Sequence, residues 1–405
     1  MISSTRQMVT PLLYVISHIF SCMKQQRLDS VKTLPENQIH LELIELTKKL
    51  IRIPSTSSRR DDIHQCADFI SQWLKANNID FDRHSINDVP SISVLPQPGN
   101  APLLVMSHFD VVEVKNTELF EPWIENGCLF GRGSIDDKYA VALSLILFRE
   151  HLNVIKSGGG NQQDMQFGLL LSGDEETGGA NGVGALIDSI STDFCIAIDG
   201  GGPELIVDKE KGILQLKITA TGKASHGARP WLGENAFDNL VQDYRELQTI
   251  FFEQAKDEPS DHWYKTMVLS NLTVGNGSIN VVPDRAEALL DIRYTEHDDP
   301  DAILASIERS IKSKVEILAK EPVFATGPSS NIDLLVRNFD NAIVGFEHGA
   351  SDARYLSQRG IPGVIVGAEG NTSQHTENEH IVLSSLYQLY DRLDTFFHEF
   401  DKEVK

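Results

Sequence analysis

The sequence predicts an α/β protein, in which a three-layer α/β/α domain is interrupted by a smaller βαββαβ unit. Two observations lead to this fold class. Short, nearly continuous apolar runs in APLLVMSHFDVV, FGLLLSGDE and FCIAIDGG are typical of strands buried on both faces, and helical patterns separate these runs. After the third run, GILQLKITATG, MVLSNLTVG and AEALLDIRY alternate apolar and polar residues, as strands covered on one face do.

The other elements follow in chain order. Apolar residues recur with helical spacing at 41–51 and 63–77 and predict two surface helices on the sheet. Beyond residue 205 the patterns predict a strand, a helix (234–254), two strands, a helix (300–311) and a strand (313–318). Such a βαββαβ unit is self-contained. We therefore predict a leader at residues 1–36, a main domain at residues 37–204 and 323–405, and an inserted α+β sandwich at residues 205–322.

Composition and charge exclude several classes of protein. The hydrophobic fraction of 41% and charged fraction of 23% are ordinary for a globular chain and exclude disordered and collagen-like classes. A net charge of -22 repels phosphate backbones and anionic lipids, so we expect no nucleic-acid partner and no stable membrane association. The four cysteines are scattered without a CxxC pair, which favours a reducing compartment, and we predict a cytoplasmic location.

The N-terminus leaves an alternative open. An apolar stretch at residues 9–23 follows Arg6, but it is too short to span a bilayer comfortably. If residues 1–22 form a signal, the protein is exported or lipid-anchored. The other interpretation is an upstream start, with the protein beginning at Met23.

Acidic and imidazole side chains follow the predicted buried strands or lie in polar segments near them. In sheets of this kind, ligands gather at the carboxyl ends of the strands. Imidazole nitrogen and carboxylate oxygen suit two neighbouring divalent ions, which activate water for hydrolysis. The pattern predicts a metallohydrolase with two metal ions, and the candidate residues are His108, Asp110, Asp136, Glu175, Glu176, Asp199 and His375.

Each motif alone has an ordinary alternative. His108 and Asp110 leave one face of a strand, so the carboxylate can orient a ligating imidazole, although an HxD sequence is also common by chance. Adjacent aspartates in GRGSIDDK suggest a carboxylate shared by two ions, or else a solvated helix start. Glu175 and Glu176 point in different directions, so that one can bind metal while the other acts as a base; the alternative is an acidic turn.

A family resemblance rests on segments in one order along the chain. HFDVV, GRGSIDDK, SGDEETGG, DGGG, KASHGARP, VGNGSINVVP, DIRY, GASDARYL and QHTENEHI resemble the M20 metallopeptidase family, especially its acetylornithine deacetylase and succinyl-diaminopimelate desuccinylase branch. The resemblance extends from about Ile39 to the C-terminus. It implies that the main domain is a catalytic domain with two metal ions and that the insert is a lid and dimerisation domain, so a homodimer is expected.

The resemblance also implies how the metal ions are held. His108 and Asp199 hold one ion, Glu176 and His375 hold the other, and Asp136 bridges them. A cis peptide commonly follows the bridging aspartate in this family, so Asp136-Asp137 is expected to be cis. Zinc is the expected metal, and cobalt or manganese can substitute because the ligands mix nitrogen and oxygen.

The remaining roles concern the reaction. By the resemblance Glu175 is the general base toward a water between the ions, and Asp110 supports the catalytic centre. His226 stabilises the oxyanion from a partner subunit, Asn280 and Arg293 contact the substrate carboxylate, and Arg354 is a further candidate for the same pocket.

The substrate class remains open between branches of the family. Asp199 stands where the deacylase branch usually has Glu, which is closer to the dipeptidase and aminopeptidase members, and the lid motif is SHGA rather than SHSA. We predict hydrolysis of an amide bond in an N-acyl amino acid or small peptide. The alternatives are a dipeptidase or carboxypeptidase of the same family, a dinuclear phosphoesterase, and a binding protein without catalytic activity.

Overall fold

A computed structural model of the chain describes residues 38–252 and 261–403. The leader predicted at residues 1–36 lies outside the described residues. By its contacts the chain divides into residues 1–42, of which the structure describes only the start of one helix, and residues 43–405, which contain the sheets and the candidate site. Within the described ranges, none of the helices combines the length and apolar character needed to cross a bilayer.

The described residues form strands and helices in the following bounds. The strands are β1 (Asp82–Ile86), β2 (Val89–Val94), β3 (Leu103–His108), β4 (Trp123–Glu125), β5 (Cys128–Phe130), β6 (Phe167–Ser172), β7 (Phe194–Ala197), β8 (Leu205–Glu210), β9 (Gly212–Thr221), β10 (Ser225–His226), β11 (Thr266–Val274), β12 (Val281–Val282), β13 (Arg285–Tyr294), β14 (Lys314–Glu321), β15 (Phe324–Ala325), β16 (Ile343–Glu347), β17 (Gly363–Ile365) and β18 (His380–Val382). The helices are α1 (Gln38–Ile51), α2 (Arg60–Ala76), α3 (Lys138–Ser157), α4 (Val183–Leu186), α5 (Ala236–Phe252), α6 (Pro300–Ser310), α7 (Ser330–Asn338), α8 (Arg354–Arg359) and α9 (Leu383–Glu403).

The larger sheet has nine strands in the order β1-β2-β6-β3-β7-β17-β8-β15, with β16 paired to β8. Its centre is parallel, because β3 pairs in parallel with both β6 and β7, and β17 pairs in parallel with β7. All six residues of β3 are buried, as are all six of β6. Continuous burial explains why these strands read as unbroken apolar runs.

Helices cover both faces of this sheet. Leu104 and Met106 of β3 pack in one cluster with Val183 and Leu186 of α4 and with Leu356 of α8. The intervening residues of β3 point to the opposite face, where α3 contacts the strand. This arrangement of helices on both sides of a central sheet confirms the predicted α/β fold class.

A smaller antiparallel sheet has four strands in the order β11-β13-β9-β14. Burial alternates strictly along β9, and its buried side chains, such as Leu216, pack against Leu240 of α5 and Ile307 of α6. The order β9, α5, β11, β13, α6, β14 is the predicted strand, helix, strand, strand, helix, strand, apart from short ribbon strands between them.

The change from one sheet to the other does not fall where the insertion was predicted to begin. The strand β8 starts at Leu205 and pairs with β15, β16 and β17 of the larger sheet, whereas β9 begins at Gly212 in the smaller sheet. Both strands contain apolar residues and Lys211 alone separates them, so local patterning does not mark the change. We therefore propose that the inserted unit comprises residues 212–321.

Candidate metal centre

Three adjacent parallel strands deliver the candidate residues to one edge of the larger sheet. His108 ends β3 and lies opposite Ser172, the last residue of β6, while Ala197 ends β7 opposite Met106. Asp110 follows β3, Glu175 follows β6 and Asp199 follows β7 within a few residues. Strand order and register therefore bring together groups that are far apart in the sequence.

The turns after β6 and β7 determine how these side chains enter the site. Glu175 and Glu176 lie in a single 3-10 turn (Glu175–Thr177) that ends at Gly178, whose φ is 100°. Gly200, directly after Asp199, has φ 145°, and a Cβ atom built there would lie 2.7 Å from Oε2 of Glu347. Glycine is required at both turns because side-chain-bearing residues rarely adopt this backbone region.

Asp136 lies between the two histidines. Its Oδ1 is 3.1 Å from Nε2 of His108, and its Oδ2 is 2.8 Å from Nε2 of His375. Nε2 of His108 is also 3.5 Å from Oδ1 of Asp199, and Nε2 of His375 is 3.3 Å from Oε2 of Glu176. The five residues predicted as metal ligands are therefore brought together, and Asp136 contacts both halves of the group.

Asp110 holds the loop that carries the two glutamates. Its Oδ1 accepts a hydrogen bond from the backbone N–H of Glu175 at 3.2 Å, and its Oδ2 accepts one from that of Glu176 at 3.1 Å. Oδ1 is also 3.4 Å from Nδ1 of His108. One buried carboxylate thus contacts the imidazole and the loop together, which fixes their relative position.

Asp137 joins the site although only the adjacent pair of aspartates pointed to it. The Asp136-Asp137 peptide is cis, which confirms that prediction. The Asp137 side chain is fully buried, and its Oδ2 accepts the backbone N–H of His108 at 3.2 Å. Its Oδ1 has no hydrogen-bond partner among the described residues. Potential ligand atoms of Asp137, His108 and Asp199 lie within 4.8 Å of one another.

The electrostatics of the site reflect an excess of buried negative charge. Burial, followed by the charge of Asp199, raises the pKa of Glu175 well above its usual range, and burial also raises the pKa of Asp199. Burial opposes protonation of His108, but the neighbouring carboxylates, Asp199 first, raise its pKa well above the usual value. Hydrogen bonds to Asp136 and Glu176 raise the pKa of His375 to about 10. Carboxylates crowded in this way favour any nearby cation.

The donor atoms fit divalent metal ions. Two groups of imidazole and carboxylate donors, each with all its atoms within 4.8 Å, adjoin one another: His108, Asp137 and Asp199 in one, and Asp136, Glu176 and His375 in the other. An unpartnered buried carboxylate oxygen on Asp137 is what an absent cation would leave. Mixed nitrogen and oxygen donors suit zinc, cobalt and manganese alike, so the donor set does not select one of them.

A second contact between distant segments supports the centre, and the sequence analysis missed it. The buried Arg132 pairs with Glu379, which is fully buried. Oε1 of Glu379 also accepts the backbone N–H of Gly133 at 2.7 Å. The segment that carries Asp136 is thereby joined to the loop that carries His375. The only sequence signal was an arginine in GRGSIDDK and a glutamate in QHTENEH.

A cleft of about 540 Å³ opens over the centre. Arg293, from the smaller sheet, lines it, and its Nε donates to Asp291 Oδ1 at 3.2 Å. Arg354 also lines it but is buried, with Nη1 3.9 Å from Glu175 and Nε 3.7 Å from Glu321. Other residues of the centre in its wall are Asp136, Glu175, Glu176, Asp199 and His375.

The two remaining predicted site residues lie elsewhere. His226 lies in β10, where it pairs with Val281 of β12, and Asn280 directly precedes β12 at the edge of the two-stranded ribbon that these strands form. Both residues are exposed, and neither is among the described residues that line the cleft. Nδ1 of His226 accepts the backbone N–H of Ala228 at 3.0 Å. The chain by itself does not bring these two side chains to the metal centre.

Similarity to known proteins covers both the centre and the smaller sheet. The sequence profile of peptidase family M20/M25/M40 matches residues 104–399. The chain is 27% identical over 370 residues to succinyl-diaminopimelate desuccinylase of Buchnera aphidicola subsp. Acyrthosiphon pisum, covering 85% of this chain and 95% of that protein. It is 29% identical over 360 residues to a probable carboxypeptidase of Aspergillus clavatus, covering 81% and 83% respectively.

The fold is similar to that of a solved structure. The M20 family metallo-carboxypeptidase Sso-CP2 of Sulfolobus solfataricus superposes with a TM-score of 0.71 at 17% identity, covering 88% of this chain and 98% of that one. At this identity the similarity shows the fold alone. With 88% of this chain matched, the superposition includes parts of both the larger sheet and the smaller one.

Proposed function

The chain belongs to peptidase family M20/M25/M40 and is a metallohydrolase of amide or peptide bonds, and we propose that it cleaves an N-acyl amino acid or a small peptide with Glu175 as general base. The observation that carries this proposal is the convergence of two histidines and several carboxylates at one centre beneath the cleft, where Glu175 lies beside the predicted ligands. Oε2 of Glu175 is 4.0 Å from Nε2 of His108.

The proposed ligands divide between two ions. His108 and Asp199 would hold one ion, Glu176 and His375 would hold the other, and Asp136 would contribute to both; Asp137 is a further donor beside the first pair. Two divalent ions bound there would polarise the scissile carbonyl and lower the pKa of water, and we propose zinc because the family resemblance implies it. Asp110 keeps His108 and the Glu175–Glu176 turn in position through its hydrogen bonds.

Glu175 moves the proton. Its carboxylate takes a proton from the attacking water and returns it to the leaving nitrogen. Burial and Asp199 raise its pKa, which makes it a stronger base than an exposed glutamate, and cations in the site would lower that pKa again. Arg354, 3.9 Å away, supplies a fixed positive charge beside it.

Arg293 is the best-placed group for the substrate carboxylate. It lines the cleft from the smaller sheet, and its side chain is 29% exposed. Arg354 is less available, because Glu175, Glu321 and Asp352 all lie within 4.0 Å of its guanidinium nitrogens. A cleft of about 540 Å³ suits a small substrate that carries an amide near a carboxylate.

His226 and Asn280 complete the site from a second subunit. Both are exposed on the β10–β12 ribbon, so they are free to enter the cleft of a neighbouring chain. In that position the His226 imidazole stabilises the oxyanion and Asn280 contacts the substrate. A homodimer is therefore part of the proposal, and we propose a cytoplasmic location because the scattered cysteines favour a reducing compartment.

A dipeptidase or carboxypeptidase activity is the second candidate. Asp199 occupies the position at which the deacylase branch usually has Glu. The probable carboxypeptidase of Aspergillus clavatus is about as similar to this chain as the desuccinylase is. Both candidates use the same centre and differ in the group on the acyl side of the scissile bond.

The test is a substrate panel measured with defined metal content. Chelated protein is reloaded with zinc, cobalt or manganese and offered N-acetyl and N-succinyl amino acids, dipeptides and peptides with a free C-terminus. Metal-dependent release from one class identifies the branch. Metal-loaded protein that hydrolyses none of them would contradict the proposed substrate class and favour a binding role.

A further inference from the structure

A third group of metal-type side chains lies between two helices, away from the cleft. His151 is near the C-terminal end of α3, whereas Asp394 and His398 are four residues apart on α9 and so share one face of that helix. Their potential ligand atoms lie within 4.8 Å of one another. Nε2 of His151 is 3.1 Å from Oδ1 of Asp394, and Nε2 of His398 is 3.9 Å from the same oxygen.

These separations are close to those required around a metal ion. With zinc to ligand distances of about 2.0–2.1 Å, tetrahedral geometry places neighbouring ligand atoms about 3.3 Å apart. The observed 3.1 Å and 3.9 Å lie on either side of this value, and all three ligand atoms lie within 4.8 Å of one another. Two imidazoles and one carboxylate leave a fourth position for water, as in open zinc sites.

The surroundings hold one ligand firmly and leave the others accessible. His151 is buried, and its ring lies edge-on to Phe167 at 5.5 Å and to Phe397 at 5.8 Å between ring centroids. These contacts fix the ring with Nε2 directed at Asp394. Asp394 and His398 have side chains that are 34% and 44% exposed, so an ion can enter from solvent.

We propose that His151, Asp394 and His398 form a separate binding site for zinc that links α3 to α9. The site shares none of its residues with the proposed catalytic centre. Asp137 directly precedes α3, and His151 lies thirteen residues beyond Lys138, so the two sites are roughly 20 Å apart along the helix. Zinc here joins the C-terminal helix to the helix that starts at the catalytic centre, and it does not depend on the proposed substrate.

The experiment counts metal per chain. Full-length protein is stripped with a chelator and dialysed to equilibrium against increasing zinc, and bound zinc is measured by elemental mass spectrometry. The test variants are His398→Gln and Asp394→Asn, which are close in size to the native side chains and lie at partly exposed positions. His297→Gln is the matched control, because His297 is exposed and near a carboxylate, 3.8 Å from Glu296, but belongs to no group of three metal-type ligands among the described residues.

The expected result is the loss of one zinc equivalent per chain in both test variants, with the control equal to the wild type. A second readout is thermal unfolding: at zinc a hundredfold above its dissociation constant, wild type gains about 3 °C more than His398→Gln does. Zinc bound at the catalytic centre contributes equally to both proteins and cancels in this comparison. Equal zinc content in the wild type and both test variants overturns the proposal, and so does an equal thermal shift.

Discussion

Two regions that the sequence analysis assigned to one active site differ in how the fold holds them. The metal-ligand cluster (His108, Asp136, Glu176, Asp199 and His375) sits at the ends of buried parallel strands and in the segments that pack against them. The β10–β12 ribbon carries His226 and, at its edge, Asn280. Both side chains are exposed, and neither lines the cleft. The cluster is assembled within one chain, whereas the ribbon does not reach the cleft of its own chain.

This difference shows which side chains core packing can position and which it cannot. Side chains that follow buried strands are positioned accurately, because strand register and core packing fix the backbone that carries them. Side chains on an exposed two-stranded ribbon have no such constraint and need another surface to position them. The proposed chemistry therefore depends on a metal-ligand cluster fixed within one chain and on ribbon residues that a second subunit would supply.

The largest expected effect tests the chemical role within the cluster. Glu175→Gln removes the base but keeps the size of the side chain, so we expect kcat to fall by about 10³-fold with metal content unchanged. Steady-state kinetics and elemental analysis of the same preparation measure both quantities. Turnover within tenfold of the wild type would show that Glu175 is not the base.

The ribbon provides the next test. Because an oxyanion donor acts in the transition state, His226→Gln is expected to lower kcat by roughly 10²-fold while the metal content stays constant. Subunit mixing then distinguishes the two possible origins of the histidine. If His226 acts across the dimer, equal amounts of the Glu175→Gln and His226→Gln chains, refolded together, regain about a quarter of wild-type activity, because half of the dimers contain one intact site. An inactive mixture would place His226 in its own chain's site.

A smaller effect is expected at Asp110, which positions the metal-ligand cluster but is not one of its proposed ligands. Asp110→Asn keeps the side-chain size but loses one of the two oxygens that accept from the Glu175 and Glu176 amides, and its charge beside His108. Loss of such a supporting carboxylate should weaken metal binding by roughly 10- to 100-fold. Zinc titration against a fluorescent chelator measures this, with Asp82→Asn on the exposed side of β1 as control. Unchanged affinity would remove Asp110 from the positioning role.

The smallest expected effect concerns the cleft wall between the two sheets. Glu210 ends β8, and its Oε2 accepts from the hydroxyl and the backbone N–H of Ser351; burial raises its pKa from 4.5 to about 8. Because the folded protein then holds the proton more tightly than the unfolded chain, the free energy of unfolding should fall as the pH rises from about 4.5 to about 8. Glutamine cannot ionise, so Glu210→Gln removes this contribution.

Denaturant unfolding of the chelated protein at two pH values measures the contribution of Glu210. Between pH 5 and pH 6, the wild type should lose about 1 kcal/mol more than Glu210→Gln. The other titrating groups are shared by both proteins and cancel in the difference. Parallel pH profiles for the two proteins would show that Glu210 is ionised within the fold.

Periodicity alone predicted most of the fold. The buried run ending at His108, the alternation along β9 and the helices before and after β11 were all found where the patterns placed them. The exception is β8, whose residues pair in the larger sheet rather than in the inserted unit. A strand's own pattern records which faces are covered but not which neighbour it pairs with, so this assignment depended on distant residues.

The sequence predicted the ligands of the candidate site but not the contacts that distant segments make around them. Motifs after the strands pointed to the metal-ligand cluster, because residues that follow parallel strands meet at one edge whatever the details of packing. The positions of Asp137 and of the Arg132–Glu379 pair were not predictable, since each depends on how separate segments pack. The grouping of His151 with Asp394 and His398 left only a weak signal, an aspartate and a histidine four residues apart on one helix.

The sequence by itself determined the α/β class, the strands and helices, and the kinds of metal ligand, because these follow from short-range hydrophobic periodicity and from residue chemistry. The tertiary structure alone decided that Arg132 pairs with Glu379, that carboxylates surround Arg354, and that His226 lies on an exposed ribbon. The physical reason is that contacts between distant segments depend on strand register and side-chain packing over the whole core, which no local stretch of sequence specifies.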